Sequence, residues 1–61
     1  MTLGQEIEHV RHKQKIPVFV MCDIFNTDES GYYQITTDQQ HPTVYELILF
    51  IDVTHHPLQS I

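Results

Sequence analysis

The chain has 61 residues and a single cysteine, Cys22. A domain of this length buries only about 60% of the surface that its unfolded chain exposes, so its core is modest. One cysteine cannot form an intrachain disulfide, which is the covalent support of many small domains. We therefore expect one domain over residues 1–61, stabilised by packing or by association with another chain, and a single thiol fits a cytoplasmic location.

Basic residues are confined to one short stretch. The net charge is −5 at pH 7, and the only Lys and Arg residues are Arg11, Lys13 and Lys15. The part of the chain after Lys15 is acidic, with Asp23, Asp28, Glu29, Asp38, Glu46 and Asp52. Because Lys and Arg supply most of the sequence-independent affinity for DNA, this distribution predicts at most weak attraction to a duplex.

The N-terminus lacks the basic start and apolar run of a signal peptide. The longest apolar stretches are too short to cross a bilayer and are interrupted by Asp. We therefore expect no membrane partner.

The spacing of apolar residues predicts helices at both ends of the chain. Leu3, Ile7 and Val10 indicate an amphipathic helix from residue 3 to about 14. In the C-terminal half, Thr43 and Glu46 form a plausible capping box. The stripe that follows consists of Val44, Leu47, Ile48 and Ile51 and stops near residues 55–57.

The middle of the chain has signals for two shorter helices. Pro17 suits the first turn of a helix over residues 18–25, which Asn26 would end. Turn and cap residues at positions 26–31 then precede Tyr32 and Ile35, which lie three apart.

Intrinsic propensity leaves a second fold open. Residues 16–25, 32–37 and 45–54 are rich in β-branched and aromatic side chains and are compatible with three strands. A small α+β domain is therefore the alternative to an all-α domain.

A family resemblance favours the all-α fold. The segments that carry it are residues 3–11 (LGQEIEHVR), Ile16, Met21-Cys22, Asn26, Ile35, residues 41–44 (HPTV) and residues 47–51 (LILFI). Aligned without a gap, they resemble the Cro/repressor-type (XRE-like) helix-turn-helix family. Its first helix commonly runs leucine, glycine, a polar pair and an apolar-spaced stretch that ends in arginine. Its fourth helix commonly opens with asparagine, proline, serine and leucine.

This resemblance implies a compact, five-helix, lambda-repressor-like domain, with Leu58 in a short fifth helix. Helices two and three would form the motif that docks on the major groove. Proteins of this kind commonly act as dimers, so that two recognition helices meet two half-sites. The resemblance therefore implies a homodimer, or pairing with another regulator, and contact with duplex DNA.

The chain departs from the family where DNA contact is expected. The recognition-helix positions are Asp28, Glu29, Ser30, Gly31, Tyr33 and Gln34, without Lys or Arg. Carboxylates repel phosphates, and the Arg contact to guanine is missing. The candidate DNA-binding residues are therefore the hydrogen-bonding side chains of Ser30, Tyr33 and Gln34 and the basic side chains of Arg11, Lys13 and Lys15.

Apolar side chains exceed what one small core needs. If Leu47, Ile48 and Ile51 face the core, Tyr45 and Leu49 form a second stripe on helix four. Val18 and Phe19 add to the excess on helix two. Since a monomer rarely exposes a large apolar patch, the candidate interface residues are Val18, Phe19, Tyr45 and Leu49.

Neither an enzyme nor a metal centre is predicted. Five histidines and Cys22 are present, but no pattern brings four zinc ligands together. Tyr32 and Cys22 are interpreted as core residues and Tyr33 as a surface residue. We expect no catalytic residue, cofactor or metal.

Two functions follow. The first is a small, acidic transcription-regulatory helix-turn-helix domain, dimeric and weak or degenerate in DNA binding. The alternative is an interaction module on the same scaffold that binds or sequesters another regulator. Fold alone does not choose between them.

Overall fold

The computed structural model describes residues 1 to 60, which form helices without any strand. In chain order the helices are α1 (Leu3–Gln14), α2 (Val18–Phe25), α3 (Glu29–Thr36) and α4 (Val44–Thr54). The predicted all-α class is confirmed, and the α+β alternative is wrong for these residues. No helix of this part of the chain has the length and apolar character needed to cross a membrane.

Local capping fixes where the helices begin and end. The predicted capping box is present at α4, where Thr43 accepts from the Glu46 backbone N–H and Glu46 accepts from that of Thr43. An unpredicted second box, formed by Thr2 and Gln5, starts α1. Pro17 was predicted in the first turn of α2, but it is the N-cap residue that precedes that turn.

One apolar cluster joins all four helices. Its buried members are Ile7, Val10, Met21, Ile24, Phe25, Tyr32, Ile35, Leu47, Phe50 and Leu58. Within it, the ring of Phe25 packs on two others, with centroids 6.2 Å from the Tyr32 ring and 5.9 Å from the Phe50 ring. As predicted, Tyr32 is a core residue.

The predicted core stripe of α4 is rotated relative to the observed one. Leu47, Phe50 and Thr54 are buried, whereas Val44 is 71% and Ile48 is 60% exposed. The prediction for Val44 and Ile48 is therefore wrong. The cause is the large Phe50 ring, which packs on Phe25 and so turns the adjacent helix face outward.

The five-helix count is not confirmed, because residues 55–60 contain no helix. Leu58 is nevertheless buried and belongs to the core cluster. The Glu6 carboxylate holds this segment by accepting from the backbone N–H groups of Gln59 and Ser60, at 2.9 to 3.1 Å. These hydrogen bonds lower the pKa of Glu6 against the opposing effect of burial.

The start of α1 lies directly against the end of α3. A Cβ atom on Gly4 would contact the carbonyl oxygen of Ile35 and lie 2.6 Å from that of Thr36. Asp38 supports this approach, because its carboxylate accepts from the Gly4 N–H at 2.9 Å and from the Thr2 hydroxyl at 2.5 Å. Glycine at this position lets α1 and α3 share the core.

We predict that Gly4→Ala destabilises the fold by about 2 kcal/mol, because overpacking against rigid backbone outweighs the helix propensity that alanine adds. Urea unfolding followed by circular dichroism measures this change. His9→Ala, on an exposed part of α1, is the control and should change the free energy of unfolding by less than about 0.5 kcal/mol. Equal stability of Gly4→Ala and the wild type would contradict the close helix contact.

Candidate functional site

Three residues connect α2 and α3. Asn26 ends α2 in the left-handed conformation, with φ of 51°. Asp28 begins α3, and its side chain accepts from the Gly31 backbone N–H at 2.8 Å. Since α3 packs on both α1 and α2, this short connection holds consecutive helices against each other.

The outer face of α3 borders an open groove of about 510 Å³. Its lining residues are Glu29, Ser30, Tyr33, Gln34, Thr37 and Gln39. The structure thus brings together three of the predicted DNA-binding residues, Ser30, Tyr33 and Gln34. Tyr33 is 49% exposed, as predicted for a surface residue. The lining contains a carboxylate but no Lys or Arg.

Arg11 occupies a different position from these three residues. Its guanidinium donates to both Glu8 carboxylate oxygens, at 2.7 and 2.9 Å, and to the Ile16 carbonyl oxygen at 3.0 Å. Its side chain is only 14% exposed. Arg11 therefore links α1 to the α1–α2 connection, and its charge is already paired.

Glu8 joins this ion pair to the buried surface of α3. The Tyr32 hydroxyl donates to Glu8 Oε1 at 2.7 Å. Hydrogen bonds from Arg11 are the main reason why the pKa of Glu8 falls from 4.5 to about 2. Burial, with the bond to Glu8, raises the pKa of Tyr32. At neutral pH the contact is therefore a neutral phenol on an ionised carboxylate.

Lys13 and Lys15 are the remaining basic candidates. Both are exposed near the end of α1, where Lys15 is the left-handed C-cap. Their side chains form no ion pair within residues 1 to 60. They are therefore free to meet an anion, although neither belongs to the groove on α3.

The predicted interface residues divide into two pairs. Phe19 is 69% and Tyr45 is 75% exposed. Val18 and Leu49 are instead partly buried and pack on the core cluster. The exposed apolar surface of α4 accordingly includes Val44, Tyr45, Ile48 and Val53. Of the two residues in the predicted stripe, Tyr45 is therefore exposed and Leu49 is not.

The described part of the chain holds no cluster of three or more His, Cys, Asp or Glu side chains arranged to bind a metal. Cys22 is half-buried rather than fully buried. Burial and the neighbouring carboxylates of Glu29, Asp28 and Asp23 raise the pKa of its thiol. Cys22 is therefore held in its unreactive thiol form.

Sequence reasoning missed the network of Glu8, Arg11 and Tyr32. The i, i+3 spacing of Glu8 and Arg11 was the available signal, because such residues are neighbours on a helix surface. The contact with Tyr32 crosses 24 positions of the chain, and no local pattern reveals it. Thr37 and Gln39 also line the groove and were not among the predicted recognition-helix positions, whereas Glu29 was.

Comparisons of the chain with models of protein families, with curated proteins and with solved structures give no match. Its function is therefore inferred from its own helix order and from the chemistry of its exposed side chains.

We predict that Tyr32→Phe lowers the free energy of unfolding by about 1.5 kcal/mol, because it removes a hydrogen bond to a charged group while Arg11 still pairs with Glu8. Urea unfolding at pH 7 measures the loss. Tyr33→Phe is the matched control, since it removes an exposed hydroxyl, and it should change stability by less than about 0.5 kcal/mol.

The hydrogen bonds that Glu8 accepts from Arg11 and Tyr32 make the stability of the fold depend on pH. The folded pKa of Glu8 is depressed to about 2 from 4.5, so its contribution to stability is complete above pH 4.5 and is lost as pH falls toward 2. Glu8→Gln should therefore show a smaller loss of stability than the wild type between pH 5 and pH 2. An identical pH profile for the two proteins would contradict the assignment.

Proposed function

We propose that this chain is a small transcription-regulatory helix-turn-helix domain that acts as a dimer and presents α3 to the major groove of DNA. The observation that carries the proposal is the joint placement of Ser30, Tyr33 and Gln34 along an open groove on the helix that follows the three-residue turn. Such a domain acts in the cytoplasm, where the free Cys22 thiol stays reduced.

The groove side chains suit hydrogen bonding to bases and to the DNA backbone. A Gln amide pairs with both N6 and N7 of adenine, and a Ser hydroxyl bonds to several base edges. A Tyr hydroxyl commonly bonds to a phosphate. Gln34 is therefore assigned the base contact, Tyr33 the phosphate and Ser30 a supporting contact near the start of the helix.

Charge limits the affinity of this surface. Asp28 and Glu29 lie at the end of α3 that would approach the duplex, and carboxylates there oppose phosphates. With Arg11 paired to Glu8, Lys13 and Lys15 are the basic side chains left to neutralise phosphates. Two such contacts correspond to a slope of only about −2 in log affinity against log salt concentration. The domain alone therefore binds DNA weakly.

Dimerisation compensates for weak contacts by each copy. Phe19, Tyr45 and Ile48 are each at least 60% exposed, and a small domain gains by covering such side chains. A dimer also brings two copies of α3 to two half-sites on one DNA molecule. The two contributions then add within one complex.

A second candidate function is an interaction module that binds or sequesters another regulator. The acidic lining of the α3 groove and the exposed Phe19 ring favour this candidate. Under it, α3 never contacts DNA, and adding positive charge to α3 creates no specific gain in DNA affinity. The following experiment separates the two candidates.

We predict that Glu29→Arg tightens binding to random-sequence duplex roughly tenfold at 0.1 M salt and steepens the salt slope by about one, because it adds one phosphate contact. Asp28 is left in place because it caps α3. A salt titration by fluorescence anisotropy measures both quantities, and circular dichroism verifies that helix content is unchanged.

His9→Arg/His55→Arg is the matched control, because it makes the same change of +2 in net charge at exposed positions outside α3. It should gain less than threefold in affinity. Equal gains by both variants would indicate a general charge effect and would contradict DNA contact by α3. No gain by Glu29→Arg would favour the protein-interaction module.

A further inference from the structure

The outward face of α4 has a regular arrangement of polar and apolar side chains. Tyr45 and Asp52 are separated by seven positions, which places them on the same line of the helix. This line lies opposite the buried side chains of Leu47 and Phe50. Between them, Ile48 lies on one side of the line at 60% exposure, and the partly buried Leu49 lies on the other.

Tyr45 and Asp52 complement each other chemically but do not meet within one copy. Tyr45 is 75% exposed, and about 10 Å of helix separates the two residues along the axis. Within residues 1 to 60, neither the Tyr45 hydroxyl nor the Asp52 carboxylate makes a hydrogen bond or an ion pair. One exposed helix face thus offers an unused donor at one end and an unused acceptor at the other.

We propose that α4 pairs with α4 of a second copy of this chain in antiparallel orientation, with the twofold axis between Ile48 and Leu49. Each Tyr45 hydroxyl then donates to the Asp52 carboxylate of the other copy. Ile48 packs on Ile48 of the second copy, and Leu49 packs on its own equivalent. This pairing rests on the proposed function, since it specifies the interface of the proposed dimer.

Charge and symmetry select this register. In an interface with twofold symmetry, if one residue contacts a second, the second contacts the first in return. Only an axis midway between Tyr45 and Asp52 lets each tyrosine meet the Asp52 carboxylate of the other copy. It also keeps the two Asp52 carboxylates about 10 Å apart along the helices, whereas an axis at Asp52 would bring like charges together.

The side chains on this face of α4 also indicate that its partner is a second copy of the chain. The face carries its own donor, its own acceptor and a central apolar pair, so that it complements itself without any other chemistry. It has no Lys or Arg to attract an acidic partner, and its single carboxylate has a donor available on the same face. A standard interface buries about 800 Å² per partner, which is a fifth of the 4000 Å² surface of this chain. One face of an 11-residue helix covers less than this, so we expect micromolar dimerisation.

Cysteine cross-linking in a Cys22→Ala background tests the orientation. Ile48→Cys places two thiols next to each other in the proposed pair, within the Cα separation of about 7 Å that a disulfide allows. Val44→Cys is the matched control on the same flank of α4, because antiparallel pairing separates its two copies by about 13 Å along the helices. His9→Cys, on α1, reports random collisions.

The expected result is oxidation of Ile48→Cys to a covalent dimer at least tenfold faster than that of Val44→Cys or His9→Cys. Equal rates for the three variants, or a faster rate for Val44→Cys, would overturn the pairing.

Sedimentation equilibrium provides a second measurement without added thiols. Tyr45→Phe should weaken dimerisation roughly tenfold, because symmetry removes two hydrogen bonds at once. Asp52→Asn should weaken it comparably, and the double variant should be little weaker than either single variant. Additive effects, or a wild type that is monomeric at 1 mM, would overturn the pairing. A monomeric wild type would leave the DNA test of Glu29→Arg intact, because a single copy still presents α3.

Discussion

The position of α3 depends on a buried hydroxyl that must have a partner. Tyr32 is fully buried. If its hydroxyl had no hydrogen-bond partner, the cost of burying it would offset much of the free energy gained by burying the ring. Glu8 supplies the acceptor, and Arg11 neutralises Glu8 while holding the Ile16 carbonyl oxygen. α1, the α1–α2 connection and the more distant α3 are therefore joined by one chain of charged hydrogen bonds, which are stronger than neutral ones.

As a result, the two faces of α3 differ in their contacts. The inner face is committed to Tyr32, to Ile35 and to the contact of its C-terminal carbonyls with Gly4. On the outer face, the Asp28 side chain caps the helix. The side chains of Ser30, Tyr33 and Gln34 are exposed there and can contact a ligand. Under the proposed function, the same network withholds the Arg11 charge from DNA, because that charge is paired with Glu8.

Features that depend on residues close together in the chain were predictable from the sequence. The Thr43 and Glu46 box, the end of α2 at Asn26 and the placement of Tyr32 and Tyr33 all follow from spacing and capping, and the structure confirms them. The outward rotation of Ile48 was not predictable in this way. The helix carries apolar residues at Val44, Ile48 and Phe50 alike, and only the packing of Phe50 on Phe25 selects the inner face.

The candidate site was less predictable than the fold for the same reason. Ser30, Tyr33 and Gln34 were predicted because the family resemblance places them at recognition-helix positions and their side chains can form hydrogen bonds. The Tyr32 hydroxyl reaches Glu8 across 24 positions of the chain, and the segment around Leu58 is held by Glu6 through backbone groups more than 50 positions away. Such contacts between distant residues leave no periodic signal, which is why Leu58 was assigned to a helix. The pairing of Arg11 with Glu8 is local and could have been predicted from their i, i+3 spacing.

The central claim is that α3 is the surface that reads DNA and α4 is not. A titration of ¹⁵N-labelled protein with random-sequence duplex at low salt, followed by amide chemical shifts, tests it most directly. We predict that the largest shifts occur at Ser30, Tyr33 and Gln34 and at Lys13 and Lys15, while the amides of Tyr45 and Ile48 stay unchanged. Shifts concentrated on α4, or no shifts on α3 at saturating duplex, would contradict the account.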